Sequence, residues 1–310
     1  MMNDYLNPFK TNKLNGLDIY FNNFINQIKN QNLPKVSLLS GKKGIGKFTM
    51  VIHLLNCYFN KKEYNILDNL ITHKSTFNET LVNNINPNVI IISNDNLNTK
   101  IEEVRNLKKI LLKTPLNNNP RFIILDNVDL FNINSLNALL KIIEEPSNSN
   151  IFFLINNQEQ NILETVSSRC LETKIFLENN ERINIIDQII NEHSINKILD
   201  YDFTSITPGQ YLIFNKLCDD NDINIESEYL SKINKLLKLY RKTKDISFVK
   251  LSIFFTEEYF YSLSKQNFDD PITLNDIKIN TVKNINNFVN YNLNLSSIIN
   301  SISLQFTNVR

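Results

Sequence analysis

Along residues 1–176, short, mostly apolar runs alternate with stretches whose apolar positions recur every three or four residues. The runs are Val36–Ser40, Val89–Ser93, Phe122–Leu125, Ile151–Ile155 and Thr173–Phe176. Each is too short for a helix, and continuous apolar runs of this length predict strands of a parallel sheet covered on both faces. Thr99 and Glu102 have the spacing of a capping box, and Ile101, Val104, Leu107 and Leu111 follow on one helical face. A second helical stripe runs through Leu136, Leu139, Leu140 and Ile143, with Pro146 placed to stop it. Strand–helix alternation of this kind predicts an α/β layer fold over residues 1–176.

Beyond Leu177 strand-like runs become rare. Arg182 to Ile198 reads as a helix, and Pro208-Gly209 predicts a turn near 207–210. From Tyr211 to Arg310 the pattern is mostly helical, with Tyr229, Ile233, Leu236, Leu237 and Tyr240 on one stripe. The expected organisation is therefore an α/β domain at 1–176, a small helical lid at 177–212 and an all-α domain at 213–310.

Composition changes this picture little. The chain has 310 residues, 42% of them hydrophobic and 21% charged, which suits an ordinary globular protein of more than one domain. The net charge of +1 excludes a strong global positive field, so any nucleic-acid contact has to be local or shared with partners. Met1–Lys10 holds no apolar leader segment and no stretch reaches the length of a membrane span, so a cytoplasmic location is expected. Cys57, Cys170 and Cys218 are odd in number and far apart, and His53, His73 and His193 are isolated. They supply neither a disulfide framework nor paired metal-ligand spacing, and read as structural or surface residues.

Candidate chemistry begins directly after the first predicted strand. Gly41-Lys42-Lys43-Gly44-Ile45-Gly46-Lys47-Phe48-Thr49 matches the G-x-x-x-x-G-K phosphate loop and opens a predicted helix. Gly41, Gly44 and Gly46 let backbone N–H groups approach an anion, Lys47 supplies positive charge, and the helix N-terminus adds its dipole. The hydroxyl that ordinarily follows the lysine to ligate Mg²⁺ is replaced by Phe48, and Thr49 stands one position late, about 100° around the helix. The loop thus reads either as a degenerate site for ATP or ADP or as an architectural loop.

A second candidate closes the Phe122–Leu125 run. Asp126, at the strand's C-terminal end, is placed to hold Mg²⁺ through water or simply to cap the strand. Hydrolysis needs an acidic group just beyond it to activate water, but that place holds Asn127, whose amide cannot take the proton. Asp129 is two residues further along. A third candidate is Arg169, in Ser167-Ser168-Arg169-Cys170 between two predicted strands. It reads either as a solvated surface residue or as a guanidinium that reaches a phosphate across a subunit boundary.

Together these pieces resemble the clamp-loader branch of the AAA+ ATPases. The resemblance covers about residues 30–215 and includes the loop at Gly41–Thr49, the Ile101–Thr114 helix with its Val104-Arg105 centre, and the Asp126 strand. Its most specific part is Asn137-Ala138-Leu139-Leu140-Lys141-Ile142-Ile143-Glu144-Glu145-Pro146, followed by Ser168-Arg169-Cys170. The resemblance implies an AAA+ P-loop domain with a parallel sheet, a helical lid and an all-α collar that joins subunits. It implies that Arg169 acts in trans on a neighbouring subunit's ATP. Asn156 or Asn157 falls where a polar nucleotide sensor would sit.

Three departures from the family pattern concern this chain's own site: Phe48 in the hydroxyl position, Asn127 beside Asp126, and Gln210 where an arginine often follows Pro-Gly. They imply a subunit that supports hydrolysis next door rather than performing it. Many relatives carry a four-cysteine zinc module after the phosphate loop; that segment here holds only Cys57, and no zinc is expected. The implied partners are the other loader subunits (gamma/tau and delta) in a hetero-pentamer, the sliding clamp, and primer–template DNA reached through the complex, with no membrane. The rival readings are an ATP-hydrolysing loader subunit and an AAA+ adaptor of DNA repair or recombination.

Overall fold

The computed structural model describes residues 4–72, 76–93, 101–112, 119–201, 206–265 and 271–307. In chain order the elements are α1 (Asp18–Lys29), β1 (Val36–Ser40), α2 (Lys47–Phe59), β2 (Tyr64–Asn65), β3 (Leu70–Ile71), α3 (Thr76–Val82), β4 (Val89–Ser93), α4 (Ile101–Leu111) and β5 (Arg121–Asp126). They continue with α5 (Ile133–Ile143), β6 (Asn150–Asn156), α6 (Glu164–Ser167), β7 (Leu171–Lys174) and α7 (Asn179–His193). Helices α8 (Pro208–Asp220), α9 (Tyr229–Thr243), α10 (Ser247–Ser264), α11 (Pro271–Asn290) and α12 (Leu295–Thr307) complete the described chain.

Five strands form one parallel sheet in the order β4-β5-β6-β1-β7. Its central strands are covered on both faces, which explains their unbroken apolar runs. Phe122 and Ile124 join Leu39, Phe153 and Ile155 in a core shared with α1 and α2. The alternate residues Ile123 and Leu125 join Leu38, Phe152 and Leu154 in a second core shared with α4 and α5. The period of two along each strand sends successive side chains to opposite layers.

The predicted strands at 36–40, 89–93, 122–125 and 151–155 are present, the last two extended by a residue at each end. The predicted strand Thr173–Phe176 forms two residues earlier, as β7. Its partner sets the register: Ser37 faces Leu171 and Ser40 faces Lys174, and β1 then ends. Phe176 is left outside and exposed.

On α4, Val104 and Leu107 are buried and Leu111 half-buried. Thr99 of the predicted capping box lies outside the described residues, as do Lys113 and Thr114 of the predicted helix. The α5 stripe buries Leu136, Leu139 and Ile143, and Asn132 caps its start by accepting the Ser135 N–H at 2.9 Å. The helix expected at Arg182–Ile198 begins and ends earlier, as α7. The Glu181 carboxylate accepts the Glu178 N–H at 3.2 Å at its start, and Ser194 leaves the helix with φ of 50°. The turn expected at Pro208-Gly209 is instead the first turn of α8. Proline fits there because its fixed φ suits a first helical turn, where its missing N–H costs no bond.

Contacts divide the chain into two units, one of residues 1–194 with 207–210 and the other of residues 195–206 with 211–310. The first unit holds the sheet and α7. The second is helical, with Tyr229, Ile233, Leu236 and Leu237 of α9 buried. Within it, Asn215 accepts the Ile198 and Leu199 N–H groups, and the Tyr229 hydroxyl meets Thr256 Oγ1 at 2.8 Å. Among the described residues no helix is long and apolar enough to cross a membrane.

Candidate functional site

The loop Gly41–Gly46 joins the C-terminal end of β1 to the first residue of α2. Gly44 and Gly46 have φ of 86° and 97°, conformations that only glycine adopts without strain, and Gly46 is the N-cap of α2. This is the backbone a phosphate-cradling turn requires. Lys47 is buried at the start of α2. Its Nζ donates to the carbonyl oxygens of Gly41 at 2.5 Å and Lys42 at 2.9 Å. Burial lowers its pKa to about 8, against the opposing fields of Asp126 and Asp129.

Phe48, in the position of the magnesium-ligating hydroxyl, packs edge-on against Phe9 with ring centroids 5.6 Å apart and joins the apolar core. Thr49 is half-buried one step further along the helix. The glycines and lysine thus fit an anion, whereas the residue after the lysine offers Mg²⁺ no oxygen.

The C-terminal ends of β5 and β6 bring the other polar candidates together. Asp126 accepts the Asn127 N–H at 2.9 Å, and Asn127 sits in the left-handed region with φ of 54°. Asn157 Nδ2 donates to Asn127 Oδ1 at 2.6 Å and to Asp126 Oδ1 at 3.4 Å. Asn156 lies opposite Ser40 in the β1–β6 ladder and donates to its Oγ at 3.3 Å. Of the two possible sensor residues, Asn157 is therefore the one hydrogen-bonded to Asp126.

Asp129 has a different task. It is buried and accepts three backbone N–H groups, from Asn157 at 3.0 Å, Glu159 at 2.8 Å and Gln160 at 3.3 Å. It folds the loop after β6, and from that loop Glu159 meets Lys43 of the phosphate loop at 3.5 Å. On the loop's other side, Thr207 Oγ1 donates to the Lys43 carbonyl at 2.7 Å and the Gly209 N–H donates to the Gly44 carbonyl at 2.8 Å. Neither tie was visible in the sequence. Gln210 bonds back to Thr207, with Oε1 3.1 Å from the Thr207 hydroxyl.

Arg169 lies on the tight turn between α6 and β7. Cys170 packs half-buried against the second core and donates its thiol to Val166 O, while Ser168 Oγ donates to Thr165 O. Burial pushes the Cys170 thiol up to about 11, so it stays protonated and serves packing. Arg169 points outward with about a third of its side chain exposed. Its Nε and Nη2 donate to Glu144 Oε1 at 3.0 and 2.6 Å, and Nη1 donates to the Thr165 carbonyl at 2.8 Å. Sequence reasoning quoted Glu144 as part of a motif without seeing this pairing. Among the described residues no group of three or more His, Cys, Asp or Glu side chains is placed to hold a metal ion.

A phosphate loop closing one strand of a parallel sheet, with an aspartate ending a strand two places away, defines a P-loop protein of the α/β class. The model of the family described as "DNA polymerase III, delta subunit" matches residues 17–181. The chain belongs to that family.

Among individual relatives, the chain is 28% identical over 202 residues to DNA polymerase III subunit gamma of Buchnera aphidicola subsp. Schizaphis graminum, covering 61% of this chain and 54% of that one. It is 29% identical over 146 residues to DNA polymerase III subunit delta' of Bacillus subtilis, covering 47% and 43%. The chain thus spans about half the length of these curated relatives. A solved structure of a DNA polymerase III gamma subunit-related protein from Thermotoga maritima aligns over 96% of this chain and 100% of that one, with a TM-score of 0.46 at 14% identity.

Proposed function

We propose that this chain is a delta-prime-type subunit of the DNA polymerase III clamp loader, acting in the cytoplasm. In this reading it does not turn over ATP itself. It presents Arg169 in trans to the ATP of a neighbouring gamma/tau-type subunit, within a hetero-pentamer that also contains delta. Hydrolysis next door, triggered by primer–template DNA, releases the sliding clamp onto DNA. Residues 177–212 act as the lid and 213–310 as the collar of the assembly. The loop at Gly41–Lys47 with Thr49 and Asp126 is a relic of an ATP or ADP site and serves mainly as architecture.

One asymmetry carries the reading. Arg169 is aligned at the surface, while this chain's own site has Phe48 turned into the core, Asn127 in the base position and Lys47 Nζ bonded to its own loop. An exposed, aligned guanidinium beside a disarmed site suits a protein that completes another's active site.

The test is a loader reconstituted with the gamma/tau-type and delta subunits of the same source. Arg169→Ala should lower DNA-stimulated ATP hydrolysis by at least about tenfold, a floor set well below the roughly 10³–10⁵ an arginine finger can supply, while the mass of the complex stays unchanged. An unaltered rate in an intact complex overturns the role. The gamma relative favours a second reading, an ATP-hydrolysing gamma/tau-like subunit. That reading requires the purified chain to hydrolyse ATP alone and to lose this on Lys47→Ala.

A further inference from the structure

We infer that Glu144 is the positioning residue for the Arg169 guanidinium. This deepens the proposal above and rests on its reading of Arg169 as a group acting in trans.

Geometry carries the inference. A guanidinium has five N–H donors in a rigid plane. Glu144 Oε1 takes the donors on Nε and Nη2, and the Thr165 carbonyl takes one on Nη1. Two contacts from different elements, on different edges of one plane, fix both the position and the tilt of the group. Among the described residues the remaining two N–H groups, one on each terminal nitrogen, have no acceptor. They are left for an incoming phosphate, whose charged oxygens accept such hydrogen bonds strongly.

The platform beneath is stiff. Glu144 is the C-cap of α5, with its own N–H bonded to Leu140 O at 3.0 Å. One residue earlier, Ile143 is buried in the same apolar cluster as Val166, which lies between Thr165 and Arg169. Val166 is fully buried, so the elements carrying the carboxylate and the guanidinium are anchored to one core. Glu144 itself is exposed, and an exposed ion pair holds weakly. The pair can therefore align the guanidinium without withholding it: a phosphate bearing more charge than one carboxylate competes for it. The contact also explains why the Glu144 motif and the Ser168-Arg169-Cys170 motif occur together in this chain. They are two halves of one device, 25 residues apart in sequence and in direct contact in space.

The test uses the complete reconstituted loader, with assembly checked by mass, and follows DNA-stimulated ATP hydrolysis. Glu144→Ala should lower kcat by roughly three- to thirtyfold, since small misplacements of a catalytic group are costly, and leave the KM for ATP within about twofold. Glu144→Gln keeps an oxygen acceptor at the same place and should recover most of the rate. In an Arg169→Ala background, Glu144→Ala should add no further loss, because it acts only through the guanidinium.

A Glu144→Ala loader as fast as wild type, or faster, overturns the inference while the Arg169 reading stands if Arg169→Ala is slow. A further loss in the Arg169→Ala background marks Glu144 as merely structural and also overturns it. An Arg169→Ala loader with undiminished hydrolysis removes the reading beneath both.

Discussion

Gly209 and Gly44 meet backbone to backbone: the Gly209 N–H donates to the Gly44 carbonyl at 2.8 Å, and neither position has room for a side chain. A Cβ on Gly209 would come within 2.8 Å of Gly44 Cα and 2.9 Å of its oxygen. A Cβ on Gly44 would lie 2.5 Å from Thr207 Oγ1, at a φ of 86° that side-chain residues rarely adopt. The obstacle to Gly209→Ala is main chain, so the first turn of α8 would have to leave the phosphate loop. Overpacking of this kind costs about 1–3 kcal/mol. Gly209→Ala should lower Tm by several degrees, and Gln210→Ala, next to it but without a clash, by clearly less. Scanning calorimetry on the full chain checks this, and equal Tm values would mean that the contact is not maintained in solution.

Lys47 makes a prediction of opposite sign, because its removal should stabilise. Its ammonium is buried, and burial lowers its pKa from 10.5 to about 8. Between those values the unfolded chain binds the proton and the folded chain does not, so stability rises with pH. The contribution is full above about 10.5 and is lost as pH falls through about 8. At pH 7 the folded protein carries the whole cost of the buried charge, on the order of 3 kcal/mol. Lys47→Met should therefore raise Tm at pH 7 and lose most of that advantage by pH 10. Thermal unfolding of both proteins at the two pH values decides it; a Met variant that is less stable at pH 7 contradicts the account.

Asp129 should prove structural. Its carboxylate gathers the N–H groups of Asn157, Glu159 and Gln160, and so sets the loop from which Glu159 reaches Lys43. Asp129→Ala leaves the buried Asn157 N–H and the part-buried Glu159 and Gln160 N–H groups without their acceptor, and an unpaired buried donor costs about 1–3 kcal/mol. Denaturant unfolding should show a loss of roughly 3 kcal/mol for Asp129→Ala and less for Asp129→Asn, which keeps one acceptor oxygen. Equal losses in the two variants would show that the hydrogen bonds are not what matters there.

The sheet was legible because its central strands are buried on both faces, so Phe122–Leu125 and Ile151–Ile155 appear as plain apolar runs. The edge strand β7 is displaced from its predicted place because it is largely exposed, and three of its four residues, Glu172, Thr173 and Lys174, are polar and leave no apolar run. The strands β2 and β3 are two residues each, too short to produce any period. Pro208-Gly209 carries a turn signature, yet proline is equally at home in a first helical turn, and only the seat against Gly44 selects between them. In the candidate site, residue types were legible and pairings were not. Gly41, Gly44, Gly46, Lys47 and Asp126 follow from motif and strand end. The contacts between Gly44 and Gly209, and between Glu144 and Arg169, are tertiary and leave no periodic trace along the chain.

His53 allows a test of the core that is independent of any partner. Its ring is fully buried on α2, between the Tyr64 hydroxyl 3.1 Å from Nδ1 and the Thr11 carbonyl 3.0 Å from Nε2. A carbonyl can only accept, so Nε2 carries the hydrogen and Nδ1 accepts from Tyr64. This arrangement suits the neutral ring: a second proton on Nδ1 would turn the Tyr64 hydroxyl into an acceptor and bury a charge. Burial accordingly lowers the His53 pKa from 6.5 to about 4. Between these values the unfolded state binds the proton and the folded state does not, so stability falls as pH drops. The contribution is complete above about 6.5 and lost on the way down to about 4, and is on the order of 3 kcal/mol. Between pH 7 and pH 4.5 the wild-type protein should lose more stability than His53→Gln, which keeps polar atoms in the cavity but cannot titrate. The difference between the two unfolding free energies, followed by urea denaturation, should narrow steadily across that interval. A constant difference from pH 7 to 4.5 would place the titration of this ring outside the folding equilibrium and refute the assignment of Nδ1 as acceptor.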